Sequence, residues 1–331
     1  MKLGPQIGLL PALGNNLDTL RAHGQIARFH RHCLWYDGTF NHKLYFPYAS
    51  TDYVLQALLL PFRRKDFRQC DVFRVFSLTG AIPAIIGKLF FRIPYICSYG
   101  ADYEAIAKIH GRDRRAKRYR MLAHLVFRTA DRILCPNAQL AKLLKWRHHY
   151  VNVSHHPNWV PTDLFIPKSR GVGVLYVGRL VKEKNLIRLA EACQNIGSSL
   201  TCIGDGPLAP ALRLLGVTTP GVVPWEQLPQ WFHSRSVFAM VSLSEGHPKA
   251  LAEAMACGMP CVLSDAVTEG MGERCQAEDL SGMETALKRL LFDREYADHL
   301  GRESRQYALD HWQEAPLMRQ EVTWLHDLAR R

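Results

Sequence analysis

No uninterrupted apolar run in this sequence reaches the roughly 18 residues that a membrane-spanning helix needs. The opening stretch, MKLGPQIGLLPALGNN, also lacks the sustained apolar core and small-residue cleavage site of a signal peptide. The expectation is a cytoplasmic chain, with a peripheral place on the inner face of the plasma membrane open to it. A disulfide framework is missing too. The nine cysteines are odd in number and scattered, and most fall in apolar segments, which reads as buried thiols in a reducing compartment. Cys257 and Cys261 share one segment but have no second ligand pair nearby, so no metal site is expected. Acidic residues are scarce in one half only. Residues 1–150 carry 24 Lys and Arg against 9 Asp and Glu, with Glu104 the single glutamate, whereas the remainder carries 18 against 21. Basicity is therefore a property of the first half, and no recognised nucleic-acid motif accompanies it.

What the chain does have is 331 residues, 47% of them hydrophobic, enough for two domains with ordinary cores. Short apolar runs alternate with helical patterns, which implies mainly parallel sheets covered on both faces. In the first half the expected strands are Gln6 to Leu10, Cys33 to Tyr36, Val72 to Phe76, Tyr95 to Ser98 and Ile133 to Pro136. The expected helices there are Leu17 to Phe29, Tyr53 to Phe62, Ala81 to Phe91 and Met121 to Thr129. Pro157, Pro161 and Pro167 interrupt regular structure and stiffen a connection.

The most informative stretch is Ser242 to Cys261, SLSEGHPKALAEAMACGMPC. An apolar strand, Val237 to Val241, empties into the turn Ser244-Glu245-Gly246-His247, and a helix starts at Pro248 and stops at Gly258. The N-terminus of a helix following a strand suits an anion, phosphate above all. Glu245 and Glu253 could accept hydrogen bonds from sugar hydroxyls, although Lys249 and Glu253 are also spaced as a surface ion pair. Upstream, the strand Val172 to Val177 leads into Gly178-Arg179-Leu180-Val181-Lys182-Glu183-Lys184, which puts Arg179 and Lys184 on a strand-to-helix loop where open α/β sheets bind ligands. Gly204-Asp205-Gly206-Pro207 closes the next strand with a turn that needs glycine, and Gly221-Val222-Val223-Pro224 follows.

The run EGHPKALAEAMACGMPCV resembles the motif of the retaining glycosyltransferases of family four, with His247 where an aromatic is common. Gly178-Arg179 with Lys184 resembles the same family's Gly-Arg-…-Lys loop, and Pro157-Asn158-Trp159-Val160 its interdomain hinge, with Trp159 replacing a glycine. The resemblance implies an α/β chain of GT-B fold, two Rossmann-like doubly wound domains facing across a cleft. Residues 1–155 would bind the acceptor, 156–168 form the hinge and 169–331 bind the nucleotide sugar, with the last helix crossing back to the first domain. It further implies that Arg179 and Lys184 bind the donor diphosphate, Glu245 the donor sugar and Glu253 the ribose. Gly178, Gly204, Asp205, Gly206, Val223, Gly246, His247, Pro248, Lys249, Ala250 and Leu251 would complete the donor site.

In the first domain Tyr99 stands where the family often has a histidine, and Asp102 is the candidate for contacting a sugar or acceptor hydroxyl, with a plain helix cap as its other reading. The cationic runs Arg63-Arg64-Lys65…Arg68 and Arg114-Arg115…Lys117-Arg118 suit an anionic membrane surface or a polyanionic acceptor, or are a solvated helix face. The expected activity is transfer from a nucleotide sugar, a UDP-sugar in preference, to a lipid-linked or cell-envelope glycan, without cofactor, metal or nucleic acid. A catalytically silent sugar-nucleotide-binding partner of a membrane glycan-assembly enzyme is the alternative.

Overall fold

Two sets of short, mostly apolar segments each assemble into a six-stranded, all-parallel sheet. The computed structural model describes residues 4–12, 17–45, 53–109, 111–148, 152–246 and 248–331. These divide into two compact units, one of residues 1–156 with 318–331 and the other of residues 157–317.

The first unit holds β1 (Gln6–Leu10), β2 (Asn41–Leu44), β3 (Val72–Val75), β4 (Tyr95–Ser98), β5 (Arg132–Cys135) and β6 (Val153–His155), in the order β2-β1-β3-β4-β5-β6. Its helices are α1 (Leu17–Ala22), α2 (Ile26–Leu34), α3 (Tyr53–Arg63), α4 (Ile82–Phe91), α5 (Tyr103–Ile109), α6 (Asp113–Thr129) and α7 (Ala138–His148). The second unit holds β7 (Val174–Val177), β8 (Leu200–Ile203), β9 (Thr218–Gly221), β10 (Val237–Met240), β11 (Cys261–Ser264) and β12 (Glu273–Cys275), in the order β12-β11-β10-β7-β8-β9. With it go α8 (Leu186–Asn195), α9 (Ala209–Leu214), α10 (Leu228–His233), α11 (Lys249–Ala256), α12 (Leu280–Phe292) and α13 (Arg294–His311). The final helix, α14 (Glu314–Ala329), belongs to the first unit from Met318 onward.

Each sheet starts at an inner strand and winds outward in both directions. Right-handed crossovers then place helices on both faces, and the reversal leaves a crevice at the carboxyl ends of the two strands flanking it. In the second unit those strands are β7 and β10, which pair directly. Strands β7, β8, β10 and β11 are buried along their whole length, as parallel strands covered on both faces must be.

Three expected elements of the first unit differ. Cys33 to Tyr36 is not a strand: α2 runs through Leu34 and the chain turns before β2, whose polar NHKL sequence sits at the sheet edge with alternating exposure. The helix expected over Leu17 to Phe29 is broken at Gly24, which adopts φ +63° between α1 and α2. Helix α6 also starts at Asp113, well before the expected Met121, because its first two turns are cationic and carry little apolar periodicity.

Residues 157–168 pack on the second unit. Arg305 donates to the carbonyls of Thr162, Phe165 and Ala256, and Phe165 sits against Trp225 and Phe232 at ring distances of 5.7 and 6.0 Å. In the first unit, the returning helix α14 is anchored by a buried ion pair. Arg74 of β3 donates to both carboxylate oxygens of Glu321 at 2.8 and 3.1 Å, and Tyr36 and His32 reach Glu321 Oε1 at 2.5 and 3.1 Å.

Candidate donor site

The crevice between β7 and β10 is built by two loops fastened to each other. After β7 the chain makes a short turn over Lys182–Lys184, and Asn185, at φ +58°, donates from its side-chain amide to Val241 O at 3.2 Å and Ala277 O at 2.6 Å. Leu243 N completes the join by donating to Glu183 O at 2.9 Å. This brings Lys184 and Glu245, 61 residues apart in sequence, into contact: Lys184 Nζ lies 2.5 Å from Glu245 Oε1, with the two side chains only 14% and 8% exposed. Ser242 Oγ donates to the same carboxylate oxygen at 2.9 Å.

Arg179 behaves differently. Its side chain is 74% exposed and 3.6 Å from Glu183, a contact that solvent screens and that leaves the guanidinium accessible to a ligand. Beneath it, the buried Tyr176 hydroxyl donates to Arg179 O at 3.1 Å, and burial together with the nearby Glu245 charge pushes its pKa well above the ordinary tyrosine value.

Glycine is required where the neighbouring turn crosses this loop. A Cβ on Gly204, at φ +129°, would stand 2.0 Å from Gly178 O, and one on Gly206 would stand 2.4 Å from Leu180 O. The contact is backbone on backbone: Gly178 N donates to Ile203 O, and Leu180 N to Asp205 O, at 2.9 and 2.8 Å. Asp205 is exposed and turns its carboxylate onto Gly206 N at 2.8 Å. Val223 follows β9, which is tied in through Gly204 N to Gly221 O at 2.8 Å.

Pro248 is the residue preceding α11 rather than its first helical residue, with φ −75° and ψ 121°. Gly246 lies two residues before it, Lys249 is exposed and Ala250 partly so, while the Leu251 side chain is in the core and its amide donates to Pro248 O at 3.2 Å. His247, expected at this turn, lies outside the described residues.

Glu253 is not a surface residue. It is 3% exposed, and Trp225 Nε1 donates to its Oε1 at 2.8 Å. Nothing in the helical spacing reveals this, because the tryptophan lies 28 residues upstream. Sequence reasoning also assigns no role to Trp225, Ser242 and Tyr176, which contact Glu253, Glu245 and the Arg179 carbonyl, or to Asn185, which ties its loop to Val241 and Ala277.

In the first unit Asp102 Oδ1 accepts from Ala105 N at 3.0 Å and so caps α5. It also lines a hollow of about 620 Å³ with Glu104, Lys117, Arg120 and His124 opposite the apolar Phe127 and Leu144. Tyr99 is 4% exposed and packed edge-on against Tyr103 and Phe127 at 5.5 and 5.0 Å, so its ring is a core element. Of the cationic residues, Arg64 is paired with Asp66 at 2.8 Å and Arg68 lies over the Phe91 ring at 5.8 Å, whereas Arg63 and Lys65 are exposed. Arg114, Arg115 and Arg118 line a second hollow, on another side of α6 from Lys117.

Comparison with known proteins bears on this geometry. Residues 171–293 match the family described as "Glycosyl transferases group 1". The second unit carries a group 1 glycosyltransferase domain. That domain includes the Gly178 to Lys184 loop, the Lys184–Glu245 pair and Glu253. Among curated proteins, TuaC of Bacillus subtilis, whose name assigns it to teichuronic acid biosynthesis, is 36% identical over 104 residues, 31% of this chain and 26% of that protein. The UDP-Gal:alpha-D-GlcNAc-diphosphoundecaprenol alpha-1,3-galactosyltransferase of Escherichia coli is 27% identical over 178 residues, 44% of this chain and 46% of that enzyme. The chain thus spans less than half the length of these relatives. Solved structures match it almost end to end. Sucrose-phosphate synthase from Thermosynechococcus elongatus aligns with a TM-score of 0.83 at 15% identity, over 98% of this chain and 99% of that one. Anabaena HepE in complex with UDP-glucose aligns with a TM-score of 0.76 at 14% identity, over 97% and 99%. The glycosyltransferase domain thus lies within a chain of GT-B fold.

Proposed function

We propose that this chain is a retaining glycosyltransferase that moves a sugar from a UDP-sugar to a lipid-linked or cell-envelope glycan. The observation that carries the reading is the buried Lys184–Glu245 pair at the β7/β10 crevice, beside the exposed guanidinium of Arg179. Transfer requires a departing diphosphate to be neutralised while positive charge develops on the sugar. A lysine and an arginine on one loop, with the first turn of α11 opposite, supply preorganised positive potential for the phosphates. Glu245, held by Lys184 and Ser242, would accept hydrogen bonds from donor-sugar hydroxyls, and Glu253 would do the same for the ribose. Lys184 makes it possible to keep the Glu245 carboxylate near a diphosphate. At an effective dielectric of about 20, two unit charges about 4 Å apart interact by about 4 kcal/mol, so an unpaired carboxylate there would repel the donor. In this scheme the cations act without a divalent metal.

The UDP preference is supported by the UDP-glucose in HepE and the UDP-Gal of the E. coli enzyme's name, and the envelope acceptor by the names of TuaC and that enzyme. Asp102, in its hollow beside Lys117 and Arg120, is the group we assign to an acceptor hydroxyl, and the basic runs to an acceptor held at an anionic membrane.

One observation favours the silent binding partner: where the family often has a histidine, Tyr99 is packed into the core at 4% exposure. Donor turnover separates the two readings. UDP-, GDP- and ADP-sugars are tested by thermal shift and donor hydrolysis, with and without EDTA, on the wild type and Arg179→Ala. The expected result is stabilisation by the uridine series alone, EDTA-resistant hydrolysis, and a roughly 100-fold loss of turnover in the variant. Proton NMR of the glycoside product then reports whether the anomeric configuration is kept. Binding without turnover would leave the silent partner standing, and inversion or EDTA sensitivity would overturn the mechanism drawn here.

A further inference from the structure

The first unit leaves a set of large apolar side chains in solvent. On α3, Leu55, Leu58 and Phe62 are 54%, 42% and 49% exposed, and their i, i+3, i+7 spacing puts them in one stripe. The opposite side of the helix is buried through Ala57 and Leu60, so the exposed stripe is a second apolar face, beyond what the core uses. At its end Phe62 meets Phe90 edge-on at 5.6 Å, and Phe90 and Leu89 of α4 are 66% and 62% exposed. The stripe's other end reaches α6: Val54, 46% exposed, lines a hollow of about 1150 Å³ with Met121 and Leu125, themselves 64% and 42% exposed. One apolar band therefore runs across α3, α4 and α6.

Cations border it at both ends. Arg63, Lys65, Arg68 and Arg92 are exposed beside Phe62 and Phe90, and Arg112, Arg115 and Arg118 line the hollow with Val54. Little acid offsets them. Asp66 is taken up by Arg64 and Lys43, whose hydrogen bonds hold its pKa far below the carboxylate range despite partial burial, and Asp113 is the one acid among the described residues lining the hollow.

We propose that this α3–α4–α6 face docks on an anionic lipid bilayer, seating Leu55, Leu58, Phe62, Leu89 and Phe90 at the headgroup–acyl boundary with the cations on the headgroups. The combination selects the partner. A nucleic acid would use the arginines and leave the leucines in water, while a bilayer of anionic lipid satisfies both at once. The proposal rests on the membrane-borne acceptor proposed above for its place in the reaction, but its physical basis is this surface alone.

The test is cosedimentation of the full chain with phosphatidylcholine vesicles and with vesicles containing about 30% phosphatidylglycerol, at low and high salt. The variants are wild type, the exposed triple change Leu55→Ser, Phe62→Ser and Phe90→Ser, and the charge reversal Arg112→Glu, Arg115→Glu and Arg118→Glu. Wild type is expected on anionic vesicles only. The apolar variant should lose roughly tenfold or more in partitioning, with its circular dichroism, melting temperature and donor hydrolysis in vesicle-free buffer unchanged. The charge variant should lose the anionic preference. Wild type that ignores vesicles, or an apolar variant that binds as wild type does, would overturn the proposal, and so would single-stranded DNA that abolishes vesicle binding while binding the apolar variant equally well. Donor hydrolysis without vesicle binding would sink the docking face and leave the transferase reading intact; vesicle binding without hydrolysis would do the reverse.

Discussion

Lys184 and Glu245 are singled out in the sequence by two separate local motifs, and it is the reversal of winding direction that sets their two loops side by side. Because both side chains are largely buried, removing one strands the other. Lys184→Ala should therefore cost about 3–5 kcal/mol in stability, and the double change Lys184→Met with Glu245→Gln should cost less than the single one. Chemical denaturation of the three proteins measures this coupling, and equal, additive losses would contradict it. Glu253 is the opposite case. Its spacing to Lys249 is that of any solvated helix face, and only the distant Trp225 reveals that it is buried. The sequence singled out Arg179, Lys184 and Glu245 because their loop motif is local; Tyr176, Ser242 and Asn185, which brace these loops, act through tertiary contacts that leave no periodic trace.

At the scale of elements, strands with apolar, β-branched runs were legible to within a residue or two, since burial on both faces leaves them few polar positions. The edge strand β2 was not, because its NHKL sequence is half solvated and the nearby Cys-Leu-Trp-Tyr run looks more strand-like than it does. The return of α14 was implied by the family resemblance alone, and the residues that anchor it were hidden, since Glu321 meets Arg74 across 247 residues. This anchor has a definite pH response. Burial holds His32 below its ordinary 6.5, so the unfolded chain takes up that proton first, and stability falls as pH drops below about 6.5. Burial would raise the Glu321 pKa, yet Arg74, His32 and His156 hold it well below its ordinary 4.5. The stability from that depression is full above about 4.5 and is lost as pH falls further, through the folded value. Melting temperature should decline from about pH 7 to about pH 5 and more steeply below 4.5; Glu321→Gln should be destabilised at neutral pH, keep the decline that His32 causes and lack the added steepening below 4.5. A variant that follows the wild-type acid profile would show that the loss arises elsewhere.

For the molecule as a whole, length and composition allow two ordinary cores and place the basic residues in the first half, while the division of α14 between the two compact units leaves no trace in composition. Every group assigned to the proposed donor site lies in the second unit. UDP should accordingly protect cleavage sites within 157–317, with stabilisation approaching about 2.7 kcal/mol at about 100 times the dissociation constant. Limited proteolysis read by mass spectrometry tests this, and protection confined to the first unit would place the nucleotide elsewhere.

The first unit is discontinuous in sequence: its sheet is spelled out by residue 156, but Met318–Arg331 arrive only after the whole second unit. On a ribosome adding about 5–20 residues per second, Arg74 waits on the order of ten seconds or longer for Glu321. Throughout that interval the nascent first unit lacks the carboxylate that will pair with an arginine destined for burial. Its folding cannot be completed in the order in which it is made, and a lesion in α14 is felt in the part that was synthesised first.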